Sequence, residues 1–130
     1  MSAATPSRLL EEARALLPRA FAPHSRFHVA AVLEDEEGTL HPGVNVESAS
    51  LGLTVCAERN ALFGAIARGA TRFRRVAIVS DQRRPCIPCG ACRQVLLERA
   101  PDLLVLLESA DGGVEEVALR ELLPRPFTEF

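Results

Sequence analysis

The sequence predicts an α/β fold in which helices are layered against one mixed sheet. Three observations carry this. Two apolar segments, 29–33 and 39–46, flank the polar turn Asp35-Glu36-Glu37-Gly38, the pattern of an antiparallel hairpin. Segments 73–80 and 103–107 carry uninterrupted apolar runs, including Val76-Ala77-Ile78-Val79, as expected of strands covered on both faces. Between them lie stretches whose apolar residues recur at helical spacing, so the hairpin passes into alternating helix and strand. With 114–117 as a last strand the sheet has five strands, and 130 residues make one domain spanning 1–130.

In chain order, Thr5 and Pro6 mark a helix start, as N-cap and first helical residue. Leu9, Leu10, Ala13, Leu16, Leu17 and Ala20 continue that helix on one face, and Pro18 kinks or ends it. The loop Phe21-Ala22-Pro23-His24-Ser25-Arg26-Phe27 precedes the hairpin, whose second strand ends in Asn45-Val46-Glu47. Alternation puts Asn45 and Glu47 on one face, where they form either a grip for a sugar hydroxyl pair or a plain polar edge. Ala57, Ala61, Leu62, Ala65 and Ile66 define a second helix that ends at Gly69. Pro88 is expected to open a third, carrying Cys92, Val95 and Leu96 and stopped by Pro101. A short helix over 118–123 closes the pattern.

Composition narrows the function. Hydrophobic residues are 48% and charged residues 25% of the chain, as in ordinary globular proteins. A formal net charge of −2 argues against a nucleic-acid partner, and the clusters Arg72, Arg74, Arg75 and Arg83, Arg84 read as solvated strand ends and a loop. No apolar run is long enough to span a bilayer. Residues 1–6 lack a charged region followed by an apolar core, so no secretory signal is expected and the location reads as cytoplasmic. Four cysteines in a reducing compartment then read as metal or catalytic thiols rather than disulfides.

Three of those cysteines and one glutamate fall in two short blocks, Cys56-Ala57-Glu58-Arg59 and Pro88-Cys89-Gly90-Ala91-Cys92-Arg93-Gln94. A hydrolytic zinc needs ligands that converge from different elements and one position left for water. The thiolates of Cys56, Cys89 and Cys92 meet that need, with Glu58 as proton carrier. Both blocks lie at expected helix N-termini, where backbone N–H groups favour anions. Residues two apart do not share a helix face, so Cys56 and Glu58 can meet only at an irregular helix entry or if Glu58 reaches back. Three thiolates and one zinc leave a charge of −1, which Arg59, or secondarily Arg93, would offset. Cys86 is read as a free thiol. The competing arrangement is a closed four-cysteine site of Cys56, Cys86, Cys89 and Cys92, in which zinc staples a non-enzymatic binding module.

Cys-x-Glu followed by Pro-Cys-x-x-Cys resembles the zinc deaminases of nucleobases. Together with Phe21-Ala22-Pro23-His24-Ser25-Arg26-Phe27, Asn45-Val46-Glu47-Ser48-Ala49-Ser50, Leu53-Thr54-Val55 and Leu122-Leu123-Pro124-Arg125-Pro126-Phe127, the chain is similar to the small, three-cysteine, homotetrameric cytidine deaminases. The resemblance implies a three-layer domain with one Zn2+ per subunit on Cys56, Cys89 and Cys92. It implies deamination of cytidine and 2′-deoxycytidine, free nucleosides, in pyrimidine salvage: zinc-bound hydroxide attacks ring carbon 4 and Glu58 shuttles protons. It further implies that Phe27 packs on the pyrimidine, Asn45 and Glu47 hold the ribose 3′-hydroxyl, backbone at Ala57 reads the base, and Arg59 offsets thiolate charge. Phe127 would reach a neighbouring subunit's site. His24, Ala30 and Leu51 depart from the residues usual in that family. A related substrate, blasticidin S, is the alternative.

Overall fold

The computed structural model describes residues 4–129; residues 1–3, part of the segment read as lacking a signal, and Phe130 lie outside them. Helix α1 (Pro6–Leu16) starts as expected, with the Thr5 hydroxyl accepting from the Arg8 amide at 3.2 Å. Pro18 cannot donate a backbone hydrogen bond, and the chain there tightens into a 3-10 turn, Leu17–Arg19. Strands β1 (Val29–Asp35) and β2 (Leu40–Val44) form the hairpin, followed by α2 (Ala57–Ala67), β3 (Phe73–Ser80), α3 (Gly90–Arg99), β4 (Leu104–Glu108), β5 (Val114–Ala118) and α4 (Leu119–Leu122). The sheet order is β2-β1-β3-β4-β5. Only β3 and β4 run parallel; the other neighbours are antiparallel, so the sheet is mixed and five-stranded as predicted.

Period-two alternation sorts the sheet's side chains into two cores. Ala31, Leu33, Val76, Ile78, Val105 and Leu107 face α2 and α3, against Ala61, Leu62, Ala65 and Leu96. Ala30, Val32, Ala77, Val79 and Leu106 face the other way, against Leu9, Leu10 and Ala13 of α1. The result is three layers: α1, sheet, and the α2–α3 pair. The parallel step from β3 to β4 needs a crossover, and α3 supplies it. The loop before α3 therefore leaves the end of β3, beside the start of β1.

Three boundaries differ from the sequence reading by two residues; the other strand ends and those of α4 differ by at most one. β1 continues through Glu34 and Asp35, both buried, because each charge has a partner from another segment. Arg75 of β3 grips Glu34 at 2.7 and 2.8 Å, and His41 of β2 meets Asp35 at 2.9 Å. β2 stops at Val44, and Val46 instead makes single bridges with Phe21 and Val55. Helix α3 starts at Gly90 rather than Pro88, with Cys89 in extended backbone as its N-cap.

Gly43 sets how closely α2 rests on β2. A Cβ there would stand 2.3 Å from the Ala57 carbonyl oxygen and 2.5 Å from the Ala61 nitrogen, both backbone atoms. Glycine in a strand interior marks such an approach. Gly43→Ala should force α2 outward and destabilise the chain by about 1–3 kcal/mol, read as a lower urea midpoint. An unchanged midpoint would mean that the start of α2 is not fixed by this contact.

Candidate active site

Helices α2 and α3 begin side by side, and each begins on a cysteine. Cys56 caps α2 at φ −71°, ψ 157°, and Cys89 caps α3 at φ −68°, ψ 167°. Extended backbone at both caps turns each side chain back across the helix mouth. Cys92, in the first turn of α3, is fully buried behind them. The Cys56 and Cys89 sulfurs are 3.8 Å apart, those of Cys89 and Cys92 3.5 Å, and all three lie within 4.8 Å of one another. Tetrahedral zinc with thiolates at about 2.3 Å places its sulfurs about 3.8 Å apart, so the three cysteines fit the ion. Among the described residues no other three His, Cys, Asp or Glu side chains cluster this way. The entry to α2 is irregular: Cys56 lies outside the helix in extended backbone and Glu58 inside its first turn.

The protein groups alone polarise this centre. Contact with the Cys92 thiol outweighs burial, and with Arg59 it brings the Cys56 thiol down to about 5. Cys92 moves upward, through its hydrogen bond with Cys56 and its own burial. Arg59 donates from Nη2 to the Cys56 sulfur at 3.4 Å, while its buried Nε has no hydrogen-bond partner. Arg93 is occupied elsewhere, donating to the Pro88 carbonyl at 2.8 Å and the Leu122 carbonyl at 2.9 Å, which ties the approach to α3 to the end of α4. Glu58 is only 4% exposed, and burial raises its carboxyl to about 7, with the Cys56 charge adding to the rise.

Cys86 stays out of the sulfur cluster. Its side chain belongs to the core beneath α2 and α3, and burial pushes its thiol up to about 11. The closed four-cysteine arrangement is therefore not formed.

Beside the metal site, a cavity of about 320 Å³ is walled by Phe27, Arg83, Pro85, Cys86 and Ile87. Asn45 and Glu47 lie beyond the end of β2 and are engaged with the 24–29 segment. Asn45 Oδ1 accepts from the Val29 amide at 2.9 Å and its Nδ2 donates to the Phe27 carbonyl at 2.8 Å. Glu47 accepts from the His24 and Ser25 amides at 2.9 and 3.0 Å and from the Ser25 hydroxyl; that hydroxyl, above all, holds its carboxyl below the usual range. Ala57 is fully buried at the start of α2. Phe127 is 62% exposed, its backbone paired with Gln94 of α3. Of the departures, His24 contributes its backbone to Glu47, Ala30 is buried in β1, and Leu51 is exposed. Sequence reasoning missed Ser25, whose hydroxyl also accepts from the Phe27 amide at 3.0 Å, and Gly43. The glycine had a signal, its place inside a strand; the serine had none.

Comparison with known proteins agrees with this geometry. The family model of the cytidine and deoxycytidylate deaminase zinc-binding region matches residues 4–108. The chain is 46% identical over 121 residues to a cytidine deaminase of Halalkalibacterium halodurans, covering 92% of each protein. It is 31% identical to a blasticidin-S deaminase of Bacillus cereus, over 80% of this chain and 79% of that protein. The crystal structure of cytidine deaminase from Burkholderia pseudomallei superposes with a TM-score of 0.90 at 43% identity, covering 95% of this chain and all of the other. The fold and the thiol centre define a zinc-binding α/β hydrolase. The chain belongs to the cytidine and deoxycytidylate deaminase family.

If the three clustered sulfurs hold the ion, serine at Cys56, Cys89 or Cys92 should reduce bound zinc from one per chain to none, measured by metal analysis after desalting. Cys86→Ser should retain it; loss of zinc there would contradict the separation of Cys86 from the centre.

Proposed function

We propose that this chain deaminates cytidine and 2′-deoxycytidine hydrolytically, giving uridine and 2′-deoxyuridine with release of ammonia. The observation that carries the reading is the convergence of three sulfurs on one point at the mouths of two helices, with the buried Glu58 carboxylate in the first turn of one of them. The 46% identity to a cytidine deaminase over nearly the whole chain supports the substrate.

Cys56, Cys89 and Cys92 would hold the zinc, which when bound would supply Lewis acidity to the attacking water. Arg59, against the Cys56 sulfur, offsets the excess negative charge of three thiolates. Glu58 takes one proton from that water and delivers it to ring nitrogen 3 as the water oxygen bonds to carbon 4. It then carries the second proton to the amino group on carbon 4, which departs as ammonia while the carbon keeps the oxygen. One carboxylate serves as base and acid in turn. Phe27 packs against the pyrimidine, and backbone at Ala57 reads its edge. Asn45 and Glu47 face the ribose 3′-hydroxyl while bracing the loop that bears Phe27; Asn45 keeps a second Nδ2 hydrogen for that purpose. A carboxylate at that hydroxyl repels a 3′-phosphate, which favours free nucleosides over nucleic acid.

The whole of 1–130 acts as one catalytic domain. Exposed Phe21, Val46, Leu51 and Leu53 beside the site, and Phe63 and Ile66 on α2, support burial against other copies in a homotetramer, with Phe127 extending toward a neighbouring site. No helix of the described residues is long and apolar enough to cross a membrane. A centre that depends on reduced thiols supports a cytoplasmic location.

Blasticidin S remains the second reading, favoured by the 31% identity to its deaminase. Ammonia release from purified, zinc-loaded protein with each compound separates the two. Glu58→Ala should lower turnover of cytidine by at least about a hundredfold while zinc is kept. Normal turnover in that variant would remove Glu58 from the mechanism.

A further inference from the structure

Two loops meet beside the metal centre: 22–28, which carries Phe27, and 81–88, which leads from β3 to Cys89. Four hydrogen bonds stitch them together. The His28 amide donates to Asp81 Oδ1 at 3.0 Å, and the Asp81 amide donates back to the His28 carbonyl at 3.1 Å. His28 Nδ1 stands 2.7 Å from Asp81 Oδ2; a carboxylate only accepts, so Nδ1 carries the hydrogen. Gln82 Nε2 donates to the Arg26 carbonyl at 2.7 Å.

The second loop is itself held rigid. Buried Ser80 accepts from the amides of Gln82 and Arg83 at 3.3 and 2.7 Å and donates to the Arg83 carbonyl at 3.0 Å, so Asp81 is aimed before it meets His28. On the first loop, Arg26 sits at φ +59°, an unfavourable conformation for a residue with a side chain. The Gln82 bond and the bond from the Arg26 amide to the Ala22 carbonyl, 2.9 Å, hold it there.

We propose that His28, through its side-chain contact with Asp81, is a positioning residue that fixes the Phe27 ring relative to the metal ligand Cys89. The backbone bonds between the loops set their neighbourhood, and the imidazole–carboxylate contact sets their separation. Phe27 and Cys89 lie on different loops; Asn45 and Ser25 hold the backbone of Phe27, and the imidazole–carboxylate contact ties its loop to the one that leads to Cys89. Without the contact, the ring can shift relative to the loop that leads to Cys89, and the base loses packing in ground and transition state alike, which raises KM and leaves kcat near the parent value.

The inference rests on the reading of Phe27 as the residue against the base, so the test has two arms. In the first, amide hydrogen exchange on zinc-loaded protein compares the parent with His28→Ala. Exchange should rise about tenfold in both 22–28 and 81–84, with α2 unchanged. A rise confined to 22–28, or spread through the whole chain, would overturn the coupling, whatever the substrate proves to be. In the second, steady-state kinetics with cytidine should show KM raised about tenfold in His28→Ala, with kcat within about twofold and zinc retained. His28→Asn, whose amide can still reach Asp81, should restore KM. A KM unchanged in His28→Ala, or equally raised in both variants, would refute the positioning role.

Discussion

Everything at the candidate site depends on two helix mouths being held within one ion's reach of each other. Cys56 and Cys89 are both N-caps, so each thiol sits where unpaired backbone N–H groups and the helix dipole favour its anion. Three sulfurs at mutual distances under 4.8 Å are a poor arrangement without a cation, because burial and like charge oppose multiple thiolates. That opposition is visible in the opposed shifts of Cys56 and Cys92. The fold maintains the arrangement from outside: Gly43 lets α2 settle on β2, and Arg93 locks the entry of α3 to the end of α4.

The same economy governs the substrate side. Asn45 and Glu47 hold the 24–28 loop from beneath, and Asp81 and Gln82 hold it from the side. Side chains that a family resemblance assigns to the sugar thus also build the wall that carries Phe27. A substitution at Glu47 would disturb the wall and the sugar contact together, so its effect on affinity could not be assigned to the sugar alone.

Much of this was legible in the sequence, and the exceptions have physical reasons. Apolar runs and periodicity located β1, β3, β4 and the long helices, because those strands are covered on both faces; β5, largely exposed, carries no such run. The cluster of Cys56, Cys89 and Cys92 followed from residue types and spacing. Preference for Arg59 over Arg93 followed from its place beside Glu58, and the structure puts it on the Cys56 sulfur. The end of β1 was misread because Glu34 and Asp35 look like turn residues, and their partners Arg75 and His41 become visible only once the strands pair. The start of α3 was misread because Pro88 suits a first helical position, yet here the cap role falls to Cys89. Contacts between loops, such as His28 with Asp81, leave no periodic trace at all.

The central claim is an ion held by three thiolates with one position open. X-ray absorption at the zinc edge of the purified protein tests it directly. The account predicts three sulfur neighbours at about 2.3 Å and one lighter oxygen neighbour at about 2.0 Å. Four sulfur neighbours would bring Cys86 into the shell, close the site to water, and contradict both the separation of Cys86 and the hydrolytic reading.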